Sequence, residues 1–72
     1  MIGKSIKERR KTLRVTQDQL ADLAGISVNT LYKIEREQAN PTLDTLTKIA
    51  DTLGMEVCLQ VKKIKILINE TS

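Results

Sequence analysis

The stretch "TQDQLADLAGISVNTLYKIE", Thr16 to Glu35, holds two short amphipathic segments separated by one glycine. Thr16 and Gln19 stand in capping-box register, so a helix is expected to start at Thr16. Leu20, Ala21, Leu23 and Ala24 give that helix an apolar face, and Gly25 is expected to end it in a left-handed turn. Ser27 is the next N-cap, opening a helix that runs to about Arg36. Ala21 is small enough for the two helices to approach closely. Ile26, Leu31 and Ile34 then supply the apolar contacts of the second. Caps, small residue, glycine and apolar stripe are each weak signals. In register they specify two helices crossing at a tight turn, a helix-turn-helix.

The rest of the chain surrounds this unit with further elements. Ile2, Ile6 and Leu13 form the stripe of a first helix over roughly residues 2–13. Thr42 caps a fourth, residues 43–53, with Leu43, Leu46, Ile49, Ala50 and Leu53 facing inward, and Gly54 closes it. After Gly54 the period changes to two. Met55, Val57, Leu59 and Val61 alternate with Glu56, Cys58 and Gln60, as in a strand with one buried face. Ile64, Ile66 and Ile68 then have the opposite parity, so a bulge, a bend or a new segment is expected at Lys62–Lys63. The expected organisation is a helical domain over 1–54 and a C-terminal dimerisation strand and tail over 55–72.

With 72 residues, the chain has room for one small domain, and a domain of this size is marginal alone. It contains no Trp and no Phe, so the core must be aliphatic. No apolar run reaches the ~18 residues of a membrane span. The N-terminal "MIGKSIKERRK" lacks the apolar stretch of a secretory signal, and the single Cys58 suits a reducing cytoplasm. There is no histidine for general-base work or for metal ligation. The glycines at 3, 25 and 54 are too dispersed for a phosphate loop. Asp44 and Asp51, seven apart on one helix, read as a solvated face. No catalytic residue, metal, cofactor or small-molecule ligand is expected. The net charge is +3, with a surplus of four positive charges in residues 1–36 and one net negative in 37–72. That asymmetry suits a polyanion partner.

At this point the chain resembles a known family. "TQDQLADLAGISVNTLYKIE" with "NPTLDTLTKIADTLGM" is similar to the Xre/Cro-like helix-turn-helix family, the five-helix lambda-repressor type, over roughly residues 2–55. The family's Gln, Leu, Ala, Gly, Ser, Thr, Glu and Pro match Gln17, Leu20, Ala21, Gly25, Ser27, Thr30, Glu35 and Pro41. Arg14 and Glu37 depart from it, since glycine is usual at both places, and strained or differently closed turns are expected there. The fold expected is all-α: four helices, with the C-terminal β-strand pairing across a dimer.

The third helix can be read on a wheel without the family. With Leu31 at the centre, Ser27 and Ile34 lie near it and Glu35 and Thr30 on its flanks. Asn29, Tyr32, Lys33 and Arg36 fall on the far side, and Val28 at the exposed N-terminal end. The first residues and outer face of a recognition helix enter the major groove. Val28, Asn29 and Lys33 are therefore the expected base-contacting residues, and the matching family positions imply the same. Asn can pair with adenine, Lys can donate to guanine and Val can touch a thymine methyl. Tyr32 and Arg36, with Thr30 and Gln17, suit phosphates, Gln17 at a helix N-terminus that favours an anion.

Glu35 and Arg10 both lie on inward flanks, and an unpaired buried charge is costly. An Arg10–Glu35 ion pair is expected, with Arg9 or solvent as the alternative partner. The strand Met55–Val61 must find a partner for its edges. A second copy would supply one, with Met55, Val57, Leu59 and Val61 at the interface; a tail that packs on its own domain or is disordered is the alternative. The tail "LGMEVCLQVK" resembles the strand of HipB-like antitoxins. The expected function is a transcriptional repressor binding a palindromic operator as a homodimer, with double-stranded DNA as partner. Two alternatives stand beside it: an antitoxin that represses its own operon and binds a toxin, and a protein-interaction module that does not bind DNA.

Overall fold

The computed structural model describes residues 2–59, and all structural statements below concern them. They form four helices: α1 (Ile2–Thr12), α2 (Gln17–Ala24), α3 (Val28–Glu35) and α4 (Leu43–Thr52). Each of the last three starts at a hydroxyl cap. Thr16 accepts from the Gln19 amide while Gln19 reaches back to the Thr16 amide, a complete capping box. Ser27 and Thr42 accept from the amides of Thr30 and Thr45. α2 ends at Gly25, whose φ of 70° is the left-handed cap that glycine adopts at least cost.

The core is aliphatic. Leu20, Leu31, Ile34, Ile49 and Leu53 are buried almost completely, with Ile6, Ala21 and Ala24 around them. Fully burying each large side chain contributes roughly 1.5–3 kcal/mol. α2 lies centrally, packing on both α3 and α4, and α1 packs on α3.

Four residues read as inward-facing are exposed: Ile2, Leu13, Leu23 and Leu43. In α1 the buried line is Gly3, Ile6 and Arg10, so Ile2 and Leu13 lie about 50–70° to its side at 100° per residue. Leu23 lies off the Leu20–Ala21–Ala24 line in the same way. Leu43 occupies the first turn of α4, at the rim of the core. Periodicity located the helices; it did not say which flank of each stripe a neighbour would cover.

Arg14 and Glu37 both have left-handed backbone, at φ 58° and 61°. The departures from glycine therefore keep the glycine-like geometry and its strain. Met55 to Leu59 carry no strand in the single chain. A strand needs a second edge to bond to, and the described residues supply none. Val61 and the Ile64–Ile68 run lie outside the described residues, as does the rest of the tail.

Candidate nucleic-acid interface

α3 divides lengthwise into a buried and an exposed half. Leu31 and Ile34 enter the core. Val28, Asn29, Thr30, Tyr32, Lys33 and Arg36 are all exposed. Val28 and Asn29 open the helix immediately after the Ser27 cap, and Lys33 follows one turn after Asn29. Neither Asn29 nor Lys33 spends a side-chain donor or acceptor on another described residue. Thr30 is engaged locally: the Ser27 hydroxyl donates to the Thr30 hydroxyl at 2.8 Å. The Arg36 guanidinium carbon lies 5.3 Å from the centroid of the Tyr32 ring, within cation–π range.

The face is held in place from behind by a buried ionic network. Arg10 donates from Nε to Glu35 Oε2 at 2.8 Å and from Nη2 to Oε1 at 2.9 Å, a bidentate pair. The Glu35 side chain is only 1% exposed and that of Arg10 10%. Arg10 Nη1 also donates to the Val15 carbonyl at 3.0 Å. The structure thus brings α1, the α1–α2 turn and the end of α3 to one point. Burial pushes the Glu35 carboxyl up. The hydrogen bonds from Arg10 and Gln17, and the charges of Arg10 and Lys7, outweigh that and hold it below the usual carboxylate range. Its bond to Glu35 raises Arg10 against the opposing effect of burial, so the pair is ionised throughout the ordinary pH range.

Several contacts were not legible beforehand. Gln17 is half-buried and donates one amide hydrogen to Glu35 Oε1 at 3.0 Å, so part of its side chain faces inward. Arg9, the alternative partner for Glu35, instead donates from Nε to the Leu53 carbonyl at 3.0 Å and ties α1 to the end of α4. The Glu37 carboxylate accepts from the amides of Gly3 and Lys4 and so caps α1 from the far end of α3. Gly3 is buried there. A β-carbon on it would overlap the main-chain oxygens of Ile34 and Glu35. A glycine near a helix start was the one available signal of that close approach.

Met55 is half-buried against the core, whereas Val57 and Leu59 are exposed. With Ile2, Ile6, Leu46 and Ala50, Met55 and Val57 line an apolar groove of about 420 Å³. Among the described residues no helix is long and apolar enough to cross a membrane, and no cluster of His, Cys, Asp and Glu could hold a metal.

A family profile described as Helix-turn-helix matches residues 6–59. The chain is 45% identical over 56 residues to the immunity repressor protein of Bacillus phage phi105, covering 78% of this chain and 39% of that protein. It is 43% identical over 56 residues to the cryptic phage CTXphi transcriptional repressor RstR of Vibrio cholerae, covering 72% and 50%. It spans half or less of the length of these relatives. Among solved structures, SinR, the master regulator for biofilm formation, in complex with DNA superposes with a TM-score of 0.73 at 37% identity, covering 78% of this chain and 90% of that one. The restriction-modification controller protein C.AhdI from Aeromonas hydrophila superposes at 0.74 with 31% identity, covering 76% and 83%.

Proposed function

The chain belongs to the Xre/Cro-like helix-turn-helix family, and from that premise we propose that it is a DNA-binding transcriptional regulator, a repressor that binds a palindromic operator as a homodimer. The observation that carries this reading is the exposed half of α3. It presents Val28, Asn29 and Lys33 to solvent while Glu35 and the core hold the helix rigid from behind. An exposed, uncommitted amide and ammonium on a braced helix suit base edges in the major groove. In this reading Asn29 pairs with adenine, Lys33 donates to guanine and Val28 meets a thymine methyl. Thr30 and Arg36 take phosphates, Arg36 with the Tyr32 ring beside it. Gln17 joins them with its second amide hydrogen, since a carboxamide has two and one is given to Glu35. The positive surplus in residues 1–36 supports the same partner. So do the repressor names of the phage relatives and the DNA complex of SinR.

The dimer is proposed through residues 55–61. Val57 lines an open apolar groove and Leu59, two residues on, stands exposed, and an isologous pairing of this segment would cover both. Two copies of α3 would then read half-sites about one helical turn apart. Nothing among the described residues favours a toxin as partner.

The test is a gel shift with DNA from upstream of the chain's own coding sequence. Wild type is expected to bind, with affinity falling steeply as salt rises. Asn29→Ala and Lys33→Ala are each expected to lose about tenfold or more on the preferred sequence, the scale of one base-specific contact. Absence of any shift at low salt would leave the fold serving protein contacts instead.

A further inference from the structure

The sequence offers Tyr32 and Arg36 as two separate phosphate contacts. Their geometry says more. They are four apart, on one side of α3, with the guanidinium carbon 5.3 Å from the ring centroid. The Arg36 side chain donates to no described residue, and it is the C-cap of α3, where a cation is favoured by the helix dipole. A guanidinium attracted to an aromatic face leaves its N–H donors free at its edge. The guanidinium thus rests against the ring with its hydrogen-bonding capacity unspent.

We propose that Tyr32 is a positioning residue: its ring, and not its hydroxyl, holds the Arg36 guanidinium ready to clamp a DNA phosphate at the C-terminal end of α3. Arg is flexible, and ordering it on binding costs entropy. The ring meets part of that cost before DNA arrives. This inference rests on the DNA-binding reading above.

The test exploits a property of the sequence. Tyr32 is the only aromatic side chain of the chain, so its ring signals in an NMR spectrum are unambiguous. Arg36→Ala is expected to shift those signals in the DNA-free protein while leaving the core methyl signals in place. Operator affinity is then measured for Tyr32→Phe, Tyr32→Ala, Arg36→Ala and the double alanine variant. Tyr32→Phe, which keeps the ring, is expected to bind like wild type. Tyr32→Ala is expected to weaken binding about two- to fivefold, the range for an exposed cation–π contact. In the Arg36→Ala background the same change is expected to cost nothing further.

Three results overturn the proposal. Equal losses for Tyr32→Phe and Tyr32→Ala would mean that the hydroxyl acts directly. Additive losses in the cycle would mean that the two side chains act independently. Unmoved ring signals in Arg36→Ala would mean that the contact is absent in solution. Any of these leaves operator binding by the wild type intact, whereas a wild type that binds no DNA removes the underlying reading as well.

Discussion

The Glu35 carboxylate accepts from three donors at once, two from Arg10 and one from Gln17, with its side chain only 1% exposed. Its removal would strand the Arg10 guanidinium. Glu35→Ala is therefore expected to destabilise the fold by about 3 kcal/mol, the lower end for breaking a buried pair. Urea unfolding measures it, and an unchanged midpoint would refute the structural role given to the pair. The same group contributes to acid sensitivity. Its folded pKa is depressed, so its stabilising effect is complete above the unfolded value of about 4.3 and is lost as pH falls through the lower folded value. Thermal melts from pH 7 downward should show that loss, and Glu35→Gln should flatten it. Gly3 is the second residue where one atom matters. Gly3→Ala should cost about 1–3 kcal/mol, because the added methyl meets carbonyl oxygens that cannot rotate away. A stabilised Gly3→Ala variant would mean that helix propensity outweighs the close approach of α1 to α3.

At the scale of elements, the three capped helices began where their hydroxyl residues implied, because a cap is a local bond between residues three apart. The turns that close α1 and α3 present a contrast. Arg14 and Glu37 share the same strained backbone, yet only Glu37 uses its side chain to cap another helix. Arg14→Gly is expected to raise stability by about 0.5–1 kcal/mol, the left-handed strain relieved less the entropy glycine adds to the unfolded chain. Glu37→Gly relieves the same strain but removes the cap on Gly3 and Lys4, so it is expected to bring no gain. Parallel melting curves compare the two, and a matched gain in both would deny Glu37 its bridging role. The strand expected over Met55–Val61 belongs to a different category. Its pattern of alternation is local, but its hydrogen bonds need a second edge, which the described residues do not supply.

For the whole molecule, the proposed dimer makes the firmest claim. A 72-residue chain with exposed Ile2 and Val57 lining an apolar groove, and Leu59 exposed as well, is expected to run as a dimer at micromolar concentration by light scattering. Val57→Asp with Leu59→Asp should shift it to monomer and weaken operator binding while leaving the four helices folded, as far-UV circular dichroism would report. A wild-type monomer at that concentration would remove the two-fold reading. The base-reading half of α3 would still stand, since it depends on one copy.

The sequence by itself determined whatever arises within a few residues: the three caps, the glycine turn at Gly25, the four helices, and the outward placement of Asn29, Tyr32, Lys33 and Arg36. Helical periodicity and capping are short-range, so they can be read along the chain. Only the tertiary structure decided which flank of each helix was covered. It exposed Ile2, Leu13, Leu23 and Leu43, buried Gly3, turned Gln17 partly inward, and sent Arg9 to the Leu53 carbonyl at the end of α4. Those outcomes depend on crossing angles and on contacts between residues far apart in the chain, such as Gly3 with Glu37 or Arg9 with Leu53. No local pattern carries that information, because the same stripe can be covered from either side.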